Sequence, residues 1–336
     1  MSSVAPYLPP ELLLKILGTS DRPTLLSSSL VSRSYRAPSQ YLLESRLSLP
    51  TSKVARTWLN CPGRRTRTRR LSLGAGLSRE EAERVFETVE GLEELKVVQD
   101  PMRPRDKFDA RALQAKELKD LFFLRLNTPL VDSSASSPLT LPFSLHTLRC
   151  KGLYSAFPPH IISAIVASSL STLISLDLDC YGSNSSAEPF VAALYPLKDT
   201  ITSIELHGTD RYTPALFDFL SSCTVLETFF CWEATSSLLA SLPSSVKTLS
   251  IGLNYTQASS ASYEELLVES GLLRQLDTLR FGGISSATLK SQVGGEELLQ
   301  QCEERGIRVE HGVEVTGRYG TLSFGFPVLG KGSRKI

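Results

Sequence analysis

The segment GFPVLGKG (325–332) approaches the glycine-rich loop G-x-x-x-x-G-K-[ST] that cradles nucleotide phosphates. Gly332 stands where a hydroxyl residue would hold magnesium, and too few residues follow for a helix N-terminus to receive a phosphate. A flexible C-terminal tail over 316–336 is the expectation. His146, His160, His207 and His311 are isolated, with no H-x-x-x-H spacing for a metal. Cys61, Cys150, Cys180, Cys223, Cys231 and Cys302 form no C-x-x-C, so free thiols in a reducing compartment are expected. The nucleophile-elbow pattern G-x-S-x-G is absent. No catalytic, cofactor-binding or metal-binding residue is assigned, and no cofactor is expected.

A second chemical signal is charge. Residues 45–79 contain nine Lys or Arg and no Asp or Glu, densest in GRRTRTRR (63–70). Two readings stand side by side: a nuclear-import or acidic-partner contact, and a solvated loop and strand edge. Net charge over 336 residues is +1, and no basic domain with interleaved aromatics appears, so nucleic acid is not the expected partner. There is no apolar run of 18 residues to cross a membrane and no basic region ahead of an N-terminal apolar stretch. A cytoplasmic or nuclear location is expected.

What would position any site is a repeat. The pattern L-x-x-L-x-L, with Val, Ile, Phe or Cys allowed, recurs as LEELKV (92–97), LFFLRL (121–126), LHTLRC (145–150) and LISLDL (173–178). It continues as ITSIEL (201–206), LETFFC (226–231), VKTLSI (246–251) and LDTLRF (276–281). Weaker copies are ESRLSL (44–49), TRRLSL (68–73) and ERGIRV (304–309). Their centres fall 20 to 30 residues apart. Alternation makes each copy a short strand with one buried face. Helices are expected between them, over 78–91 with a Ser78…Glu81 capping box, and over 158–170, 187–197, 213–223, 262–271 and 295–306. No such unit buries its own apolar face, so stacking is required.

The period resembles a leucine-rich repeat. The resemblance implies an α/β solenoid over 46–315 with parallel strands on its concave face. The copies are degenerate: of the asparagines that usually follow the strand, only Asn254 is present. A doubly wound sheet is the structural alternative, weakened by even spacing and the lack of a glycine-rich first turn.

At the N-terminus, Leu8, Pro9, Glu11, Leu12, Ile16, Leu25, Leu30, Val31, Arg33 and Tyr35 fall at the spacings of an F-box without insertion or deletion. Residues 1–45 are therefore read as a small all-α module, with its second helix at 23–29 and its third at 30–45. Ser20 and Ser28 depart from the apolar residues usual in that family. The resemblance implies that Leu8, Pro9, Leu12, Ile16, Leu30 and Val31 meet a Skp1-like adaptor and, through it, a cullin. The plainer alternative is a helical cap on the end of the repeat array.

If the strands line an inner face, the residues between the repeat leucines point out from it. Arg125, Arg149 and Lys151 make a basic band, Asp177, Asp179 and Glu205 an acidic one, and Phe230 with Trp232 an exposed aromatic pair. These are the candidate target-binding residues. The combined expectation is a substrate-recognition subunit of a Skp1–cullin–F-box ubiquitin ligase that performs no chemistry itself. A repeat scaffold acting outside any ligase is the alternative.

Overall fold

The computed structural model describes residues 9–18, 20, 22–31, 33–60, 68–99, 103, 105–134, 137–207, 212–232, 234–252, 271–282, 285–291, 294–313, 316–317 and 320–321. Leu8, Cys61, Asn254, most of GRRTRTRR, nearly all of 262–271 and the segment 322–336 lie outside these residues.

Three helices open the chain: α1 (Pro10–Gly18), α2 (Arg22–Val31) and α3 (Arg33–Ser45). Pro10 begins α1, where its missing N–H is not needed, and the Pro9 carbonyl accepts from the amides of Leu12 and Leu13. Leu17, Leu25 and Leu42, one from each helix, form a small core, with Leu14, Tyr35 and Leu43 packed against it. The helix boundary differs from expectation in one place. Leu30 and Val31 end the second helix rather than opening the third.

Eleven parallel strands follow in a sheet whose order in space is the order in sequence, making this an α/β protein. They are β1 (Arg46–Leu49), β2 (Arg70–Gly74), β3 (Glu94–Val98), β5 (Phe123–Asn127), β7 (Thr147–Leu153), β8 (Ser175–Tyr181), β9 (Ser203–Leu206), β10 (Thr228–Cys231), β11 (Thr248–Gly252), β12 (Thr278–Gly282) and β13 (Arg308–Val313). Each of the eleven L-x-x-L-x-L copies contributes one strand. The chain divides into two compact units, Met1–Ser175 with Gly182–Thr200, and Leu176–Tyr181 with Ile201–Ile336.

In the first unit the repeat leucines are in register: Leu47 lies opposite Leu71, Leu71 opposite Leu95, Leu95 opposite Leu124, and Leu124 opposite Leu148. Helix α4 (Ser52–Leu59) follows β1, and α5 (Arg79–Thr88) follows β2. Helix α5 carries the expected capping box, Ser78 accepting from the Glu81 amide and Glu81 from the Ser78 amide. Helices α6 (Pro159–Ser169) and α7 (Asn184–Leu194) also belong here.

Between β3 and β7 the repeat pattern is interrupted. A two-residue parallel pair, β4 (Phe108–Asp109) with β6 (Leu130–Val131), and two 3-10 turns at Ala110–Gln114 and Lys116–Asp120 replace full helices. Arg111 is buried there. Its guanidinium pairs with Asp132 and donates to the carbonyls of Ser134, Ser137 and Pro138.

In the second unit Ile204, Phe229, Leu249 and Leu279 are successive register partners. Helices α8 (Pro214–Ser222), α9 (Ser236–Ala240), α10 (Ser286–Lys290) and α11 (Gly295–Glu304) are described here. Thr213, Thr235 and Ser285 cap the first three of these through side-chain oxygens. The last repeat corrects the expectation. Leu279 pairs with Val309, not Ile307, so its centre lies two residues further on. The amide of Arg308 bonds the Asp277 carbonyl after the left-handed Gly306, and this sets the register. A two-residue slip keeps every side chain on its face, and Ile307 stays buried. Leu95, Leu124, Leu148, Leu176, Ile204, Phe229, Leu249 and Leu279 are all fully buried.

Among the described residues no helix is long and apolar enough to cross a membrane.

Candidate functional site

Three groups of residues stand out, and the first is on the N-terminal helices. Helices α1 and α2 present apolar residues on two faces. Leu13, Leu17 and Leu25 turn inward and are buried. Leu12 and Ile16 are about half exposed, and Leu30 and Val31 are 87% and 79% exposed. Pro9 is exposed as well. Four of the six residues assigned to adaptor contact are thus large apolar side chains left in water, at a substantial hydrophobic cost for an isolated chain.

The second group is basic and lies in the first unit. Lys96, Arg125 and Arg149 occupy consecutive register positions on β3, β5 and β7, and Lys151 lies two residues beyond Arg149 on the same face. All four are half-buried. Like charges on neighbouring strands repel, so the fold alone does not favour this row. Burial, and then Arg125, Lys151 and Arg149, push the Lys96 ammonium below its ordinary pKa. Arg125 also donates from Nε to the Asn127 side-chain oxygen at 3.1 Å. Part of the basic stretch over 45–79 is balanced differently. Arg70 pairs with its register partner Glu94 at 3.0 Å, Arg69 with Glu93 at 3.6 Å, and Arg56 with Glu81.

The third group lies in the second unit. His207 Nε2 is 3.2 Å from Glu205 Oε2 and 3.5 Å from Asp177 Oδ1. Burial alone would favour neutral imidazole. The hydrogen bonds that the ring donates to Asp177 and Glu205, with their negative charge, outweigh it and raise the His207 pKa to about 9. The ring is therefore an imidazolium at neutral pH, clamped between two carboxylates. The three ligand-type atoms lie within 4.8 Å of one another, a spacing that suits a cation, and the imidazolium already supplies the positive charge there. The ring packs on Phe230 with centroids 4.9 Å apart, and Phe230 meets Trp232 edge-on at 6.5 Å.

This packing corrects the expected surface. Asp177, Asp179 and Phe230 were expected to stand bare on the sheet face, yet all three are buried, as is His207. His207, immediately after β9, packs across to Phe230 on the neighbouring strand β10, and Trp232, two residues further along the same segment, packs against Phe230. Trp232 remains half-exposed, as does Glu205. The aromatic pair leans over Gly252, where an added Cβ would lie 2.7 Å from Trp232 Cε3 and 3.2 Å from Phe230 Cζ.

His207 and Lys96 were not among the sequence-assigned site residues. The signal for both was available, because each occupies a sheet-face position in its copy of the repeat, beside or two residues beyond a charged central position. Gly252 gave no such signal, since its meaning depends on two aromatic side chains from another strand. Arg111 and Asp132 sit 21 residues apart in a segment without periodicity, and nothing in the sequence pairs them.

A scan against protein-family models finds no match to this chain, and a search of curated proteins finds none either.

Proposed function

We propose that this chain is an adaptor: helices α1 and α2 dock on a Skp1-like protein, and the repeat region holds a protein target for ubiquitination. The observation that carries this reading is the exposure of Leu12, Ile16, Leu30 and Val31. The F-box resemblance assigns these four to the partner surface, and they are among the large apolar side chains that α1 and α2 leave exposed, Leu26 being another. Exposed apolar groups of this kind mark interaction surfaces. The function follows from proximity, since tethering a target beside a loaded transfer enzyme raises its effective concentration. On the target side, Arg125, Arg149, Lys151, Glu205 and Trp232 keep some exposure, whereas Asp177, Asp179 and Phe230 shape the surface from beneath.

The test is binding of the intact chain to Skp1 from its own organism. Replacing Leu30 and Val31 by Ala should each remove an interface anchor, with about 2 kcal/mol or more lost, roughly 30-fold in affinity. Leu30 and Val31 contribute nothing to the helical core, so the variants should keep the wild-type urea midpoint. A folded wild-type chain that shows no binding to Skp1 would refute the ligase reading and leave a repeat scaffold with a different partner on α1 and α2.

A further inference from the structure

The N-terminal helices and the first strands line a half-open cavity of about 610 Å3 within the first unit. That is the size range of small-molecule sites. Its wall is apolar, built from Leu25, Leu42 and Leu43 of α2 and α3. Residues of β2, β3 and β5, among them Arg70, Lys96 and Arg125, line it too, together with Arg46 of β1. The lining therefore carries four cations against one carboxylate, Glu94.

That carboxylate is already engaged with Arg70 at 3.0 Å. Arg46 donates to the Gly18 carbonyl, an uncharged acceptor. The charged groups acting on Lys96 are all positive, Arg125, Lys151 and Arg149, and they hold its proton more loosely than usual together with burial. The lining thus combines an excess of positive charge with a largely apolar surface. A bound anion would meet the cationic side chains of the lining, and the apolar wall would cover the rest of its surface.

We propose that this cavity binds a small organic anion, a carboxylate or phosphate monoester bearing an apolar chain or ring, with its charged end on Lys96 and Arg125 and its body against Leu25, Leu42 and Leu43. The inference is independent of the adaptor reading, because the exposed residues Leu12, Ile16, Leu30 and Val31 are not in the cavity lining.

Calorimetric titration of the full chain tests it with four probes below their micelle concentrations: decanoate, decyl phosphate, decanol and inorganic phosphate. One-to-one binding of decanoate or decyl phosphate is expected, and the tighter of the two identifies the headgroup the site prefers. Decanol should bind at least tenfold more weakly for lack of charge, and inorganic phosphate at least tenfold more weakly for lack of an apolar body. Lys96→Gln and Arg125→Gln should each weaken the anionic probe about tenfold or more, while Lys290→Gln, on an exposed face of the other unit, should leave it unchanged. Lys96→Gln also removes one of the repelling charges, so its unliganded melting temperature should equal or exceed wild type, which separates lost affinity from lost fold. Equal binding of decanol and decanoate, unchanged binding in both variants, or no binding of either anionic probe would overturn the proposal.

Discussion

Arg111 and Asp132 form a two-point ion pair in the interior: Nε to Oδ1 at 2.7 Å and the Nη2 group to Oδ2 at 3.1 Å, with both side chains at most 5% exposed. The pair ties the turn after β4 to the segment after β6, across a stretch where 3-10 turns replace full helices. Arg111 also satisfies the carbonyls of three loop residues, so it replaces the regular ladder that this stretch lacks. Removing one partner leaves a buried charge uncompensated. Arg111→Met is expected to lower stability by about 3–5 kcal/mol in urea unfolding. Combining it with Asp132→Leu should recover part of that loss, giving a coupling energy in a double-mutant cycle well above zero.

The Arg111 guanidinium, together with the Ser134 amide, also holds the Asp132 carboxyl below its usual pKa, against the opposing pull of burial. A carboxylate depressed on folding contributes stability that is present above the unfolded pKa and is lost as pH falls through the folded one. Acid unfolding of the wild type should therefore be steeper than that of Asp132→Asn.

His207 has the opposite sign. Its folded pKa is raised to about 9 from an ordinary value of 6.5. Its contribution is fully present below pH about 6.5 and fades as pH rises through about 9. Urea midpoints measured from pH 6 to 10 should fall more for wild type than for His207→Gln, and the two curves should converge at the alkaline end. Parallel curves would mean that the imidazolium clamp between Asp177 and Glu205 is absent.

Gly252 is the floor beneath the aromatic pair. Gly252→Ala should displace Trp232 and Phe230 and cost about 1–3 kcal/mol by overpacking. The chain has two tryptophans, so a Trp58→Phe background isolates Trp232 fluorescence. A shift of its emission toward longer wavelength is expected, because the indole should be pushed into water.

Leu176→Ala tests the repeat core. The side chain is fully buried near the start of β8, and a loss of about 2–5 kcal/mol is expected. Leu153→Ala, at a 46% exposed position at the end of β7, should stay within about 0.5 kcal/mol of wild type. Similar losses at the two positions would contradict the burial pattern.

The repeat core was legible because alternation encodes a face. Leu95, Leu124 and Leu148 needed only parity to be placed inward, and parity survives even the two-residue shift at Val309. Capping was legible for the same local reason, as Ser78 and Glu81 lie within one helical turn. Lateral packing was not legible. Phe230 was expected to be exposed on the sheet face beside Trp232, and its burial accompanies packing against His207 and Trp232, which no spacing rule encodes. On the N-terminal helices, the family resemblance singled out Leu12, Ile16, Leu30 and Val31, and these side chains are exposed. The boundary near Val31 was misplaced because apolar spacing continues smoothly from one helix into the next.

The agreement between strand order and sequence order also bears on how the molecule is made. Each strand finds its neighbour only about 26 residues upstream, by the average spacing of the repeat centres. Closing loops of similar, short length carries a nearly constant entropic cost at every step. A ribosome adds roughly 5–20 residues per second, so a new strand emerges every few seconds, far slower than a loop of this size closes. The growing chain can therefore lay each strand on an edge that is already formed. No strand has to wait for a distant partner, and the hydrophobic stripe exposed at any moment during synthesis is about one repeat wide.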